Sequence, residues 1–288
     1  MKGKVNPRAL YENRGTSFCA GGDFGKMTVS NLIKQYSPTL AGQSMSDRLV
    51  TFCSPSRCVP PILRYRKNDY LNAALSGATG HILDIQVDRI LEQLKALNID
   101  MKNDWKMMSL FIGSNEQCDL SCKSTYNWDD YEVQLSHALE RLRQNVPKLL
   151  VNIVEMGMIS PAYLLAPMEK CKNVNFLMKY LCPCAFKGEE SRKLMDLNAA
   201  HFNAALHRIK SKFAGDDDFA IMLDPSFSEQ PIEDINLVSD VDCFHPSALA
   251  HSKLAVSIWN NMFVGYSSRK RRLTEDKVLS HGERPNSS

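Results

Sequence analysis

The sequence predicts an α/β fold built on a parallel sheet. Two observations carry that prediction: short apolar runs that end in loop residues, and stretches with helical period between them. Trp105 to Ile112 (WKMMSLFI) is closed by Gly113, the pattern of a buried strand entering a tight loop. Lys148 to Met156 (KLLVNIVEM) and Phe219 to Leu223 (FAIML) are two more such runs, and Asp69 to Leu75 (DYLNAAL) is read as a further strand.

The helices follow from spacing. Ile82, Ile85, Val87, Ile90, Leu91 and Leu94 keep a 3.6-residue period, as do Leu135, Ala138, Leu139, Leu142 and Val146. The second set is entered through Asp129 and Asp130, whose charges suit the positive end of a helix. Leu194, Leu197, Ala200, Ala204 and Ile209 outline a third helix. Ser247 to Phe263 is the last, with Pro246 expected at its first position. In a parallel sheet, ligands bind where the loops gather at the C-terminal strand ends.

The composition, 44% hydrophobic and 23% charged, reads as globular, and 288 residues suit one large α/β domain or two small ones. A single domain is expected over residues 1–264, and 265–288 read as a disordered polar tail containing the basic run Arg269 to Arg272. A net charge of +3, with no basic stripe interleaved with aromatics, argues against nucleic acid as a partner. Nine cysteines, several close together as in CDLSC and CPC, point to an oxidising compartment. Zinc is the competing reading, but these spacings do not make two C-x2-C knuckles. The odd count leaves at least one cysteine free or paired outside the chain. The N-terminus has no apolar core of a leader peptide, and no run approaches the ~18 apolar residues of a membrane span. A cysteine content typical of export without an export signal leads to the expectation that the chain starts too late.

The clearest chemical mark is DVDCFHPSALAHSKL, in which Asp242 stands three residues before His245. Such a pair fixes and charges an imidazole so that it takes a proton from a hydroxyl nucleophile. Two loops after predicted strands accompany it. LNAALSGATG offers the backbone N–H of Gly77 with no side chain to block approach, and FIGSNEQCD offers the side-chain amide of Asn115. Taken singly, each has a bland reading as a turn or loop cap.

Together and in this order, these words resemble the phospholipase B group of the GDSL (SGNH) hydrolase superfamily. RGTSFCAGGD, NLIKQYSPTLAG, LNAALSGATGHILDIQVDRI, DWKMMSLFIGSNEQCDLSC, VNIVEM, LCPC and DCFHPSALAHSKLAVSIWNNM carry the resemblance from Glu12 to Met262. It implies a flavodoxin-like α/β/α sandwich of esterases that act on phospholipids or lysophospholipids, at a membrane surface or outside the cell, with no metal or cofactor. It makes His245 the general base and Asp242 its orienting acid. Gly77 and Asn115 become two oxyanion-hole donors, each worth about 3 kcal/mol. Glu116 follows Asn115 where the family usually has Asp.

One departure is large. The family's nucleophilic serine lies in a G-D-S-L word at the end of the first strand, and no GDS occurs in this sequence. Ser17, Ser76 and Ser114 are read as loop hydrogen-bonding residues, so no nucleophile is assigned. The first strand of that fold lies inside the sheet, so the expected consequence is an internal gap or the closing together of its neighbours. A chain whose beginning lies before Met1 is favoured over an evolved pseudoenzyme. Two other functions stay open: a non-catalytic secreted protein binding a lipid or partner, and a basic-tailed intracellular protein with reduced cysteines.

Overall fold

The structure is a computed structural model that describes residues 11–51, 53, 54, 57–232, 234–273 and 277–279. Its centre is a parallel sheet of β1 (Lys106–Leu110), β2 (Leu149–Val154) and β3 (Phe219–Asp224), in that order, with β2 in the middle. The register pairs Lys106 with Leu149 and Leu149 with Phe219, so the three strands start level and end at one edge. These are three of the four apolar runs read as strands.

Strand period and helix period together build three layers. On one face Leu149, Val151 and Ile153 of β2 meet α2 (Leu83–Ala96), α3 (Asp129–Asn145) and α4 (Glu189–Lys212) through Val87, Leu139 and Phe202. On the other face Val154 of β2, with Met107 and Phe111, meets α1 (Val29–Lys34) and α5 (Ala248–Asn261) through Val29, Leu254 and Ile258. A sheet covered on both faces needs apolar residues at successive positions, which is why these strands read as continuous runs.

Asp69 to Leu75 is not a strand. A 3-10 turn covers Lys67–Asp69, Tyr70 takes a positive φ of 46°, and the Asn72 N–H closes back on the Asp69 carbonyl. The carbonyls of Asn72 and Ala74 accept from the guanidinium of Arg14 at 2.5 and 2.9 Å, so a buried side chain occupies groups a ladder would need. Arg14 and Arg48 in turn pair with Glu12 and Asp69, all four largely buried, which anchors this segment to the start of the described chain.

Among the described residues β1 forms a ladder with β2 alone. Its other edge opens on a slot of about 760 Å³, walled by Leu71 to Leu75 on the far side and by Val29 and Val87 on either face of the sheet. The gap expected from the resemblance is therefore held open rather than closed.

The C-terminal expectation changes for part of the expected tail, residues 274–276 and 280–288 lying outside the described residues. Tyr266 touches Glu155, the Lys270 N–H donates to Asn261 Oδ1 at 2.8 Å, and the Leu273 N–H to Gln230 Oε1 at 2.9 Å. Further on, the Leu279 N–H donates to Asn260 Oδ1 at 3.0 Å. Thus 265–273 and 277–279 are bound to the domain, because asparagines ending α5 satisfy backbone groups of a polar segment that has no apolar period of its own.

Candidate active site

The Asp242–His245 segment is a tight loop ahead of α5. Asp242 Oδ1 accepts the backbone N–H groups of Phe244 and His245, each at 3.0 Å, which leaves Oδ2 to bond His245 Nδ1 at 2.6 Å. Asp242 is mostly buried while the His245 ring is 60% exposed, so the acid is fixed by the protein and the imidazole faces outward. Burial pushes the Asp242 carboxyl up, but the hydrogen bond and charge of His245 and the two N–H groups outweigh it, and it titrates below its ordinary value. An ionised Asp242 holds the proton of His245 on Nδ1, which leaves Nε2 able to accept a proton.

Pro246 was expected at the first helical position. It lies two residues earlier, just ahead of the cap and bridged to Val238, because Ser247 is the cap: its Oγ accepts the Ala250 N–H at 3.2 Å. His245 therefore stands outside the helix. The loop is also tied covalently, since Cys243, at a positive φ of 54°, is disulfide-bonded to Cys171.

The other two predicted residues share a second cluster. Asn115 ends the loop after β1 and donates its side-chain amide to the Ala78 carbonyl at 2.7 Å. The next residue, Glu116, accepts the Gly80 N–H at 2.7 Å, so the Asn115 loop and the Gly77 loop are stitched by two bonds. Burial pushes the Glu116 carboxyl up to about 7. Gly77 has φ +78°, and a Cβ there would lie 2.2 Å from the Cys53 carbonyl oxygen, so only glycine fits. Ser76 beside it donates to Glu12 Oε1 at 2.5 Å, which commits its hydroxyl to the buried ion cluster.

Disulfides Cys118–Cys182 and Cys122–Cys184 pin the turn that follows Asn115, so the paired CDLSC and CPC words staple one site loop. Cys53 is also disulfide-bonded, and Cys19 is the free cysteine among the described residues.

Sequence reasoning missed His251, Glu12 and the role of Glu116. His251 lies in α5 and its Nδ1 accepts the Phe18 N–H at 3.2 Å. Burial, then the charge of nearby His245, pushes its titration down to about 4, so the ring is neutral with its proton on Nε2. Phe18 also meets Phe111 edge-on at 6.3 Å, which links the start of α5 to the end of β1. Its position six residues after His245 is not a helical spacing, so the sequence carried no signal for His251. Among the described residues, no hydrogen bond joins His245 to a hydroxyl, to Gly77 or to Asn115.

A family profile, GDSL-like Lipase/Acylhydrolase, matches residues 13–258. The chain belongs to the GDSL-like lipase/acylhydrolase family. Its α/β fold, with a parallel sheet between helical layers, is that of the SGNH hydrolases. Similar proteins include the human membrane-associated phospholipase B1, 28% identical over 92% of this chain, and its rat counterpart, 26% identical over 92%. The mouse counterpart is 27% identical over 90% of the chain. The chain spans about 18% of the length of each of these relatives. No solved structure matches it. Among the described residues, no helix of this GDSL-like protein is long and apolar enough to cross a membrane.

Proposed function

We propose that this chain carries the base, the orienting acid and part of the oxyanion hole of a lipid-ester hydrolase of the phospholipase B type, with phospholipid or lysophospholipid as its ligand. The observation that carries the reading is the 2.6 Å bond from a buried Asp242 to an outward-facing His245, on a loop held by the Cys171–Cys243 disulfide. In this reading His245 Nε2 takes a proton from the attacking group, Asp242 stabilises the imidazolium, and the Gly77 N–H and the Asn115 amide meet the oxyanion. Asn115 must exchange the Ala78 carbonyl for the substrate oxygen.

In this reading the chain has no nucleophile for the base, which is supported by two observations among the described residues: no hydroxyl is bonded to His245, and Ser76 is engaged by Glu12. Those observations favour a second reading, a protein that binds the lipid at an extracellular or membrane surface without cleaving it. A site without a triad member keeps only about 10³–10⁴-fold acceleration over water. Lysophosphatidylcholine is the discriminating ligand. Saturable binding, lost in His245→Trp, with no fatty-acid release above that trace is expected. Absence of saturable binding would remove both readings, and fast release would restore full catalysis.

A further inference from the structure

The basic run Arg269 to Arg272 stands outside the proposed esterase site, yet the fold holds it in place. The Lys270 N–H donates to Asn261 Oδ1 at 2.8 Å, and the Lys270 carbonyl accepts from Asn261 Nδ2 at 3.0 Å. The Arg271 carbonyl accepts the Glu229 N–H at 3.0 Å. The strap is thus fixed through its backbone, which leaves its side chains for other partners.

Those side chains gather on one ring. Arg269 and Arg271 lie 5.9 and 5.6 Å from the centre of the Tyr266 ring, and Lys210 of α4 lies 6.0 Å from it. His207, one turn earlier on α4, meets the same ring edge-on at 5.2 Å. A ring attracts cations at this range, but cations this close also repel one another, and burial pushes the Arg269 guanidinium below its ordinary value.

The nearby carboxylates do little to offset this charge at the surface. Glu155 is buried and bonded to the Tyr266 hydroxyl, while buried Asp224 is engaged by Ser226 and Asn261. Glu229 stands 3.6 Å from Arg271, too far for a hydrogen bond. Among the described residues Lys210, Arg269, Lys270 and Arg272 form no ion pair.

We propose that the cations around Tyr266 form a recognition site for a phosphate group, either free or on an anionic lipid headgroup. A phosphate spreads its charge over several oxygens, so one group can accept from a lysine and from the planar forks of two arginines. Because the strap is already fixed, binding orders little that was free, and such preorganisation favours affinity. The inference goes beyond the esterase reading and does not depend on it.

In the first arm of the test, inorganic phosphate is titrated into the isotope-labelled full chain while amide shifts are read by NMR, with chloride at matched ionic strength as reference. Saturable shifts at Tyr266, Arg269, Lys270 and Arg271 are expected with phosphate and not with chloride. The second arm is sedimentation with phosphatidylcholine vesicles containing about 30% phosphatidic acid, against vesicles given the same charge by oleate. Binding to the first and not the second assigns the phosphate to a headgroup, and shifts without vesicle binding assign it to a free ion. Lys210→Gln combined with Arg271→Gln is expected to weaken the interaction at least about tenfold, since each basic group near an anionic surface is worth about fivefold. Lys95→Gln with Lys102→Gln, at the end of the sheet where the strands start, is expected to leave it unchanged. Four results would overturn the proposal: no response in either arm, equal shifts in chloride, equal binding to oleate vesicles, or wild-type affinity in the Lys210 and Arg271 double variant. Neither replaced side chain holds the backbone of the strap, and the wild-type comparisons stand without the variant.

Discussion

Replacing Cys171 and Cys243 together by serine opens the disulfide beside Asp242. The bridge closes a loop of 72 residues, and no other described disulfide shortens that path, because the partners Cys118 and Cys122 lie upstream of it. In the chain-entropy treatment a loop of this length is worth about 4 kcal/mol of stability. A loss of that size lowers Tm by on the order of 10 °C in a protein of this class. Urea unfolding at pH 7, followed by tryptophan fluorescence, measures it. The site has its own readout. Asp242 owes its low titration to bonds made within a loop that Cys243 anchors, so freeing the loop should move its carboxyl toward the ordinary value of about 3.9, read by carbon NMR. A stability loss under about 1 kcal/mol with Asp242 unmoved would refute the claim that this bridge holds the loop.

Two further substitutions test the stitched Gly77 and Asn115 loops. Glu116 titrates at about 7 in the folded protein, so between the ordinary glutamate value and 7 the native state holds a proton that the unfolded state has released, and stability falls as pH rises across that window. Glu116→Gln removes that fall and is expected to be more stable than wild type at pH 8 by about 3 kcal/mol, with little difference at pH 4. Equal stability of the two proteins at pH 8 would refute the assignment. Gly77→Ala places a methyl against the Cys53 carbonyl at a backbone angle that L residues avoid, and should cost about 2 kcal/mol or more in urea unfolding; a neutral substitution would show that the loop relaxes freely.

The sheet was legible because its strands are covered on both faces, which leaves a sequence mark as plain as KLLVNIVEM. Helix α3 was legible for the same reason, one apolar stripe meeting one face of the sheet. Asp69 to Leu75 was misread because its fate is decided by Arg14, whose bonds reach 58 and 60 positions along the chain, and local pattern carries no trace of such a partner. The packed C-terminal segment was missed similarly: it is held by side chains of Asn260 and Asn261 rather than by burying an apolar face. Clustered cysteines signalled disulfides, but many connectivities fit any such count, and Cys171–Cys243 had no local signature.

At the site, Asp242 and His245 were legible since both lie within one turn of chain, and the structure places them in direct contact. Asn115 and Gly77 were found as loop residues after apolar runs, although their junction through Ala78 and Gly80 depends on tertiary packing. His251, buried and neutral behind the loop, carried no mark that separates it from a core histidine.

The central claim, that the acid, the base and the oxyanion donors are present without a nucleophile they can activate, is tested most directly by a fluorophosphonate probe on the purified 288-residue chain. The probe reacts with a serine only when an adjacent base and oxyanion donors activate it. The account predicts no labelled serine by mass spectrometry. Stoichiometric labelling of Ser17, Ser76, Ser114 or any other serine, abolished by His245→Ala, would contradict it.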